Sequence, residues 1–208
     1  MGNLLTKLNK ITVLDFETEG LNLSRSRPWQ VAWVVGNTRG AIYAKHDYMI
    51  DIPDINVSPQ AAAVTGFDLE KYHRLKRPAA EVLGKLWADI SGDVSVVGQH
   101  IIGFDMFMIG VLQRLAGAKI DYSFFPRIVD TKALSKAINL DLPLDAVSGL
   151  ISWQMKVLNC PKKAGKNSQL ALLKKFAIPF DEKKLHDALY DVEMTAQIFL
   201  KLGVLIKC

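Results

Sequence analysis

The feature that most constrains the fold is a short apolar run near the start of the chain, residues 11–16, which closes on acids in the string ITVLDFETEG. A compact apolar run of this length reads as a strand covered on both faces. A second run follows at residues 29–36 (WQVAWVVG), and residues 41–50 alternate loosely. The three read as consecutive strands, the first of them central. Helices are then expected at 59–67, closing at Gly66, and at 78–90, where apolar residues recur at helical spacing behind Pro78. Residues 94–98 read as a fourth strand, and 104–115 as a helix stopped by Gly117. A fifth strand at 127–129 leads into a helix at 132–137, and helices at 168–176 and 187–202 follow. Strands first, then strands alternating with helices, imply an α/β fold with a mixed five-stranded sheet flanked by helices. Residues 139–166, rich in Pro, Gly and Lys, carry little pattern and read as an insertion within a single domain spanning residues 1–208.

Composition narrows the classes. With 208 residues, half of them apolar, the chain can bury a core that needs no covalent staples. Its two cysteines, Cys160 and Cys208, are far apart. They read as free thiols in a reducing, cytoplasmic setting and exclude a cysteine-rich zinc site. No apolar run is long enough to span a membrane, and the apolar start is too short for a signal peptide. Lys plus Arg outnumber Asp plus Glu by 26 to 21, giving +5, which suits a polyanionic partner without demanding one.

Chemistry concentrates at three places. Asp15 and Glu17 are two apart, so on a strand their side chains share a face. Two carboxylates at the end of a buried strand repel each other and lose hydration, a conflict that a divalent cation removes. A strand end open to solvent would remove it too. Asp105, in GFD, falls at a strand-to-helix crossing inside apolar sequence, where an acid also serves as an N-cap. His186 and Asp191, in LHDALYD, share a side only if Asp187 caps the last helix and leaves His186 on the entering loop.

In this order, an Asp-x-Glu on the first strand, an Asp opening a middle helix and a His-x4-Asp on the last helix, the sequence resembles the DEDDh 3′–5′ exonucleases. That family includes the proofreading subunit of bacterial DNA polymerase III. The motifs are DFETEG, GQHIIGFD and LHDALYD, with VTGF at residues 64–67 resembling the family's short loop at the substrate terminus. Two positions depart from the pattern: Ile101, preceded by His100, where the family usually has Asn, and Gln30 where it commonly has Glu.

The resemblance implies an RNase H-like fold and two-metal hydrolysis. Asp15, Glu17, Asp105 and Asp191 would hold two divalent cations, Mg²⁺ or Mn²⁺, and His186 would take the proton from the attacking water. Phe16, Thr18, Thr65, Phe67 and His100 are the implied substrate contacts, Phe67 by stacking on the terminal base. The implied substrate is single-stranded DNA or frayed 3′ ends. The same chemistry on RNA, as in oligoribonuclease or RNase T relatives, is the alternative; a non-catalytic nucleic-acid-binding or polymerase-accessory module is the second. A polymerase or other protein partner is compatible with the resemblance, and no membrane partner is expected. Lysines at 156, 162, 163, 166, 174 and 175 form one basic region, which reads as either a solvated loop or a clamp on a phosphate backbone.

Overall fold

The computed structural model describes residues 2–145 and 147–207; the thiol expected at Cys208 lies outside them. A short helix α1 (Leu4–Lys7) precedes the strands β1 (Lys10–Thr18), β2 (Pro28–Asn37) and β3 (Ile42–Met49). Helices α2 (Pro59–Thr65), α3 (Leu69–Leu75) and α4 (Ala79–Ile90) lead to β4 (Ser95–Gly98) and α5 (Asp105–Leu115). The chain continues through β5 (Ile128–Asp130), α6 (Thr131–Asn139), α7 (Leu150–Asn159), α8 (Gln169–Lys175) and α9 (Ala188–Leu205).

The five strands form one sheet in the order β3-β2-β1-β4-β5. Strands β1, β2 and β3 pair antiparallel, whereas β4 and β5 run parallel to β1. The expected class, a mixed five-stranded sheet flanked by helices, is what the chain adopts. β1 is central because both of its faces are apolar. Leu14 and Phe16 pack into one core with α4 and α5, while Ile11 and Val13 pack into a second core with α9 and its neighbours. The alternation along β1 carries Asp15 and Glu17 onto the α9 face. The strand is longer than its apolar run suggests, extending through both acids to Thr18.

The segment 139–166 has structure that its composition conceals. Within it α7 buries Trp153, Gln154 and Val157, and Trp153 Nε1 donates to the Pro143 carbonyl at 2.8 Å. Gln154 is fully buried and lies against β5, the edge strand. Its Oε1 accepts from the Asp130 N–H at 2.6 Å and its Nε2 donates to the Ile128 carbonyl at 2.9 Å. One side-chain amide thus supplies the two partners that a sixth strand would have given. The helical pattern was hard to read because α7 packs with a narrow stripe containing a polar Gln. Helices α1 and α3 were also unforeseen; each is short, and each buries a single side chain, Leu4 and Tyr72.

Gln154→Met keeps the volume but leaves a buried N–H and a buried C=O without partners, and should cost roughly 2–4 kcal/mol of stability. Urea denaturation measures this. A Met variant as stable as wild type would show that Gln154 does not satisfy this edge.

Candidate active site

A cleft of about 540 Å³ opens at the end of β1, between α2 and the start of α9. Its lining brings together Asp15, Phe16, Glu17 and Thr18 from β1, Thr65 from α2, and His186 and Asp191 from the last motif. Each arrives for a local reason. Asp187 is the N-cap of α9, its Oδ1 accepting from the Tyr190 N–H at 2.9 Å. His186 is therefore left outside the helix, exposed, with a left-handed backbone at φ 72°. Asp191 sits one turn inside, and its Oδ2 accepts from the His186 N–H at 3.0 Å.

Asp105 opens α5 but does not cap it; the N-cap position is Phe104, and no side-chain cap bond is made. The buried Asp105 carboxylate reaches across to β1 instead, its Oδ1 accepting from the Phe16 N–H at 3.2 Å. That bond sits between the two acids of β1. A further buried acid, Asp130, steadies the turn leading to Asp105: its Oδ2 accepts from the Ile102 N–H at 3.1 Å while its Oδ1 caps α6.

Four carboxylates therefore converge, and burial is the largest influence on each. Asp15, which keeps only a partial opening to the cleft, is pushed well above the usual carboxylate range by burial, then by the charges of Asp105, Glu17 and Asp191. Glu17 rises to about 8 through burial and repulsion from Asp191, Asp105 and Asp187. Asp105 rises to about 7 by burial, although the Phe16 N–H opposes the shift. Asp191 rises to about 6 by burial, against the stabilising N–H and ring of His186. The leading influences on Asp15 and Glu17 all push the same way, burial and the neighbouring acids together.

This donor set fits divalent cations. All ligands are hard oxygens, their charges are uncompensated, and Asp191 Oδ1 is buried without a hydrogen-bond partner. Among the described residues, no three His, Cys, Asp or Glu side chains stand already closed as a metal cage. Mutual repulsion opposes such closure until a cation compensates it.

Two of the substrate contacts implied by the resemblance stand away from the cleft lining. Gly66 ends α2 in the left-handed region at φ 65°, turning the chain so that Phe67 packs edge-on against Trp29 at 4.9 Å and beside Tyr72 at 5.6 Å. Phe67 is thus occupied as a core aromatic. His100, with φ 65°, folds its ring over Gly103, and burial with the nearby Lys132 lowers its basicity. Of the two departures, Ile101 is fully buried in the core, and Gln30, the cross-strand neighbour of Glu17, donates from Nε2 to Asp47 Oδ1 at 2.7 Å.

Other lining residues were not singled out from the sequence. Leu21, Val64 and Phe104 supply apolar wall. Leu21 and Val64 are 88% and 53% exposed, which is the signal that marks them, since large apolar side chains beside acids are poorly hydrated. The wall is held by Glu19, whose carboxylate takes Arg27 Nε at 2.8 Å, Arg27 Nη2 at 2.6 Å and the Asn56 N–H at 2.7 Å. Burial works to raise Glu19, but these bonds and the Arg27 charge outweigh it and hold the carboxyl below its ordinary value.

A pH dependence follows for the metal-free protein. The four carboxylates have folded pKa values above their unfolded ones, so their contribution is fully present below about pH 4 and is lost as pH rises, through about 6 to 8 for Asp191, Asp105 and Glu17. In a chelator the Tm should fall between pH 5 and pH 8, and Mg²⁺ or Mn²⁺ at pH 8 should restore it. Asp15→Asn should flatten the slope. An unchanged Tm profile in that variant would remove Asp15 from the electrostatic cluster.

Known proteins resemble this chain in family and in fold. The family model for RNase T, described as an exonuclease, matches residues 12–199. No curated protein sequence matches the chain. The fold is similar to that of E. coli exonuclease I. Its complex with a dA16 oligonucleotide has a TM-score of 0.72 and 16% identity, covering 92% of this chain and 40% of that one. The complex with dT13 gives 0.71 and 16%, covering 93% and 41%. A zinc-bound form of the E. coli complex with single-stranded DNA gives 0.69 and 16%, covering 92% and 39%. The chain therefore spans about 40% of the length of these exonuclease I structures. That family match covers well over half of the chain, so the chain belongs to the RNase T family of DEDD exonucleases.

Proposed function

We propose that the protein is a metal-dependent 3′–5′ exonuclease that removes nucleotides from the 3′ ends of single-stranded or frayed DNA. The observation that carries this reading is the convergence of Asp15, Glu17 and Asp191 with His186 on one cleft, with Asp105 buried directly behind them and bonded to the Phe16 N–H between the two acids of β1. Single-stranded DNA in the exonuclease I complexes supports DNA as the substrate.

Asp15, Glu17, Asp105 and Asp191 would hold two divalent cations, Mg²⁺ or Mn²⁺, with Asp15 shared between them. When bound, such ions offset the carboxylate charge, make water more acidic and stabilise the leaving oxygen of an in-line phosphoryl displacement. The residues of the chain do the rest. His186 is exposed at the cleft rim on a loop fixed by the Asp191 carboxylate, and its imidazole accepts the proton of the attacking water. The water oxygen bonds to phosphorus, the bond to the 3′ oxygen of the preceding nucleotide breaks, that oxygen takes up a proton from solvent to become a hydroxyl, and a nucleoside 5′-monophosphate is released. Phe16, Leu21, Val64 and Phe104 offer apolar surface to the terminal nucleoside, with Thr18 and Thr65 beside them. The Thr18 hydroxyl donates to the Gly20 carbonyl at 2.6 Å, leaving its oxygen to accept from the sugar.

The direct test is digestion of 5′-labelled DNA and RNA oligonucleotides of one sequence with Mg²⁺ or Mn²⁺. A ladder shortening from the 3′ end of DNA is expected. Preference for the RNA strand would make the protein an exoribonuclease, and binding without cleavage would make it a non-catalytic nucleic-acid module. Asp15→Ala should abolish turnover while the fold persists; residual activity above about a tenth of wild type would contradict a shared ligand for two ions. His186→Ala should slow hydrolysis by roughly 10²–10⁴-fold with metal affinity little changed. Collapse of metal binding in that variant would make His186 a ligand, not a base.

A further inference from the structure

The basic region separates into two classes once its partners are known. Lys156 pairs with Asp145 at 3.4 Å, Lys174 with Glu182 at 3.1 Å, and Lys175 donates to Asn139 Oδ1 at 2.6 Å. These three lysines have local partners. Lys162, Lys163 and Lys166 are exposed, and among the described residues none of them makes an ion pair or a side-chain hydrogen bond.

The loop that carries these three has no regular structure, yet its backbone is pinned. Asn139 Nδ2 donates to the Ala164 carbonyl at 2.8 Å, and Gln99 Nε2 donates to the Asn167 carbonyl at 2.7 Å. Ser135 Oγ donates to Asn167 Oδ1 at 2.7 Å, and Lys136 Nζ donates to the Cys160 carbonyl at 2.6 Å. A solvated loop needs no such anchoring.

The anchors also fix where the loop lies. The parallel ladder of β1 and β4 ends at Val13↔Val97, so Gln99, just past β4, leaves the sheet at the end toward which β1 runs on to Asp15. Gln99 therefore ties the loop to the sheet end that bears the catalytic acids. Just beyond the loop, Gln169 Nε2 donates to the Asp191 carbonyl at 2.7 Å. Three ammonium groups without a local partner thus stand on an ordered support that runs along α6, from Asn139 beside Ala164 to Gln99 beside Asn167, and reaches Asp191 through Gln169.

From this juxtaposition we infer that residues 160–168 form a preordered shelf for the sugar-phosphate backbone of a single strand, upstream of the scissile bond. Lys162, Lys163 and Lys166 meet its phosphates. The inference rests on the exonuclease reading for the strand's direction, but its binding readout does not depend on cleavage. Lysine meets phosphate as a point charge, so the contact is indifferent to base sequence. Because the backbone of the shelf is fixed before binding, little ordering entropy opposes the contact. Strands too short to leave the cleft gain nothing from it.

The test compares wild type with the triple variant Lys162→Ala, Lys163→Ala, Lys166→Ala, using a labelled dinucleotide and a labelled 16-mer. Binding is read by fluorescence anisotropy in chelator at several salt concentrations, and turnover is read in Mg²⁺. The variant should bind the 16-mer roughly tenfold more weakly, with the slope of log K against log salt flatter by about 2, or about 0.7 for each lost phosphate. Dinucleotide affinity and kcat on either substrate should stay as in wild type. Equal affinity of variant and wild type for the 16-mer at every salt concentration would overturn the shelf. A loss of the same size for the dinucleotide would overturn it too, by moving the lysines into the cleft. Wild type that binds the 16-mer through these lysines but cleaves nothing would leave the shelf standing and sink the exonuclease reading. Wild type that binds neither strand would overturn both.

Discussion

The structure depends on repulsion among carboxylates that the fold refuses to separate. Asp15 and Glu17 leave β1 on one face, Asp105 comes from beneath and Asp191 from the facing helix, and burial raises all four. Two apolar cores, one on each side of the sheet, make such a concentration of charge tolerable. Main-chain donors do the fine positioning, the Phe16 N–H for Asp105 and the His186 N–H for Asp191. Each of those bonds uses one carboxylate oxygen and leaves the other available for chemistry. Disfavoured electrostatics in the resting protein are thus the counterpart of affinity for polyvalent positive charge.

Support for the site reaches well beyond the cleft. Asp130, fully buried, holds the turn before Asp105 with one oxygen and caps α6 with the other. Gln154 in turn holds the Asp130 backbone from α7. On the opposite side, Glu19 and Arg27 tie the wall to residues 53–56, and the Ser58 N–H, at the start of α2, donates to the Glu19 carbonyl. The four converging acids therefore stand on a strand and on helix starts that are themselves held from behind.

Much of this was legible in the sequence, for physical reasons that differ by residue. Asp15 and Glu17 were visible because acids closing an apolar strand violate burial patterning, and such violations concentrate at sites. His186 was readable only with Asp187 as the cap, and α9 does begin that way. Asp105 carried an ambiguous signal, since capping and catalysis favour the same residue type; in the structure its carboxylate makes no cap bond and accepts from the Phe16 N–H of β1 instead. Phe67 was harder still. Its aromatic ring suits a base or a core equally, and in the structure a left-handed Gly66 turns it toward Trp29 and leaves it half-buried. The helix α7 stayed hidden because its most important inward residue, Gln154, is polar and pairs with backbone rather than with other side chains.

That glutamine has a consequence for how the molecule meets copies of itself. A β-sheet invites additional strands at its two borders, and here one border is already sealed by a side chain from its own chain. The other border is β3, two strands from β1, where Lys45 pairs with Glu193, His46 stacks on Trp33 and Asp47 accepts from Gln30. Those side chains stand above and below the sheet, so at β3 the main chain is the part of the border that a further strand would meet, on the side away from β4 and β5.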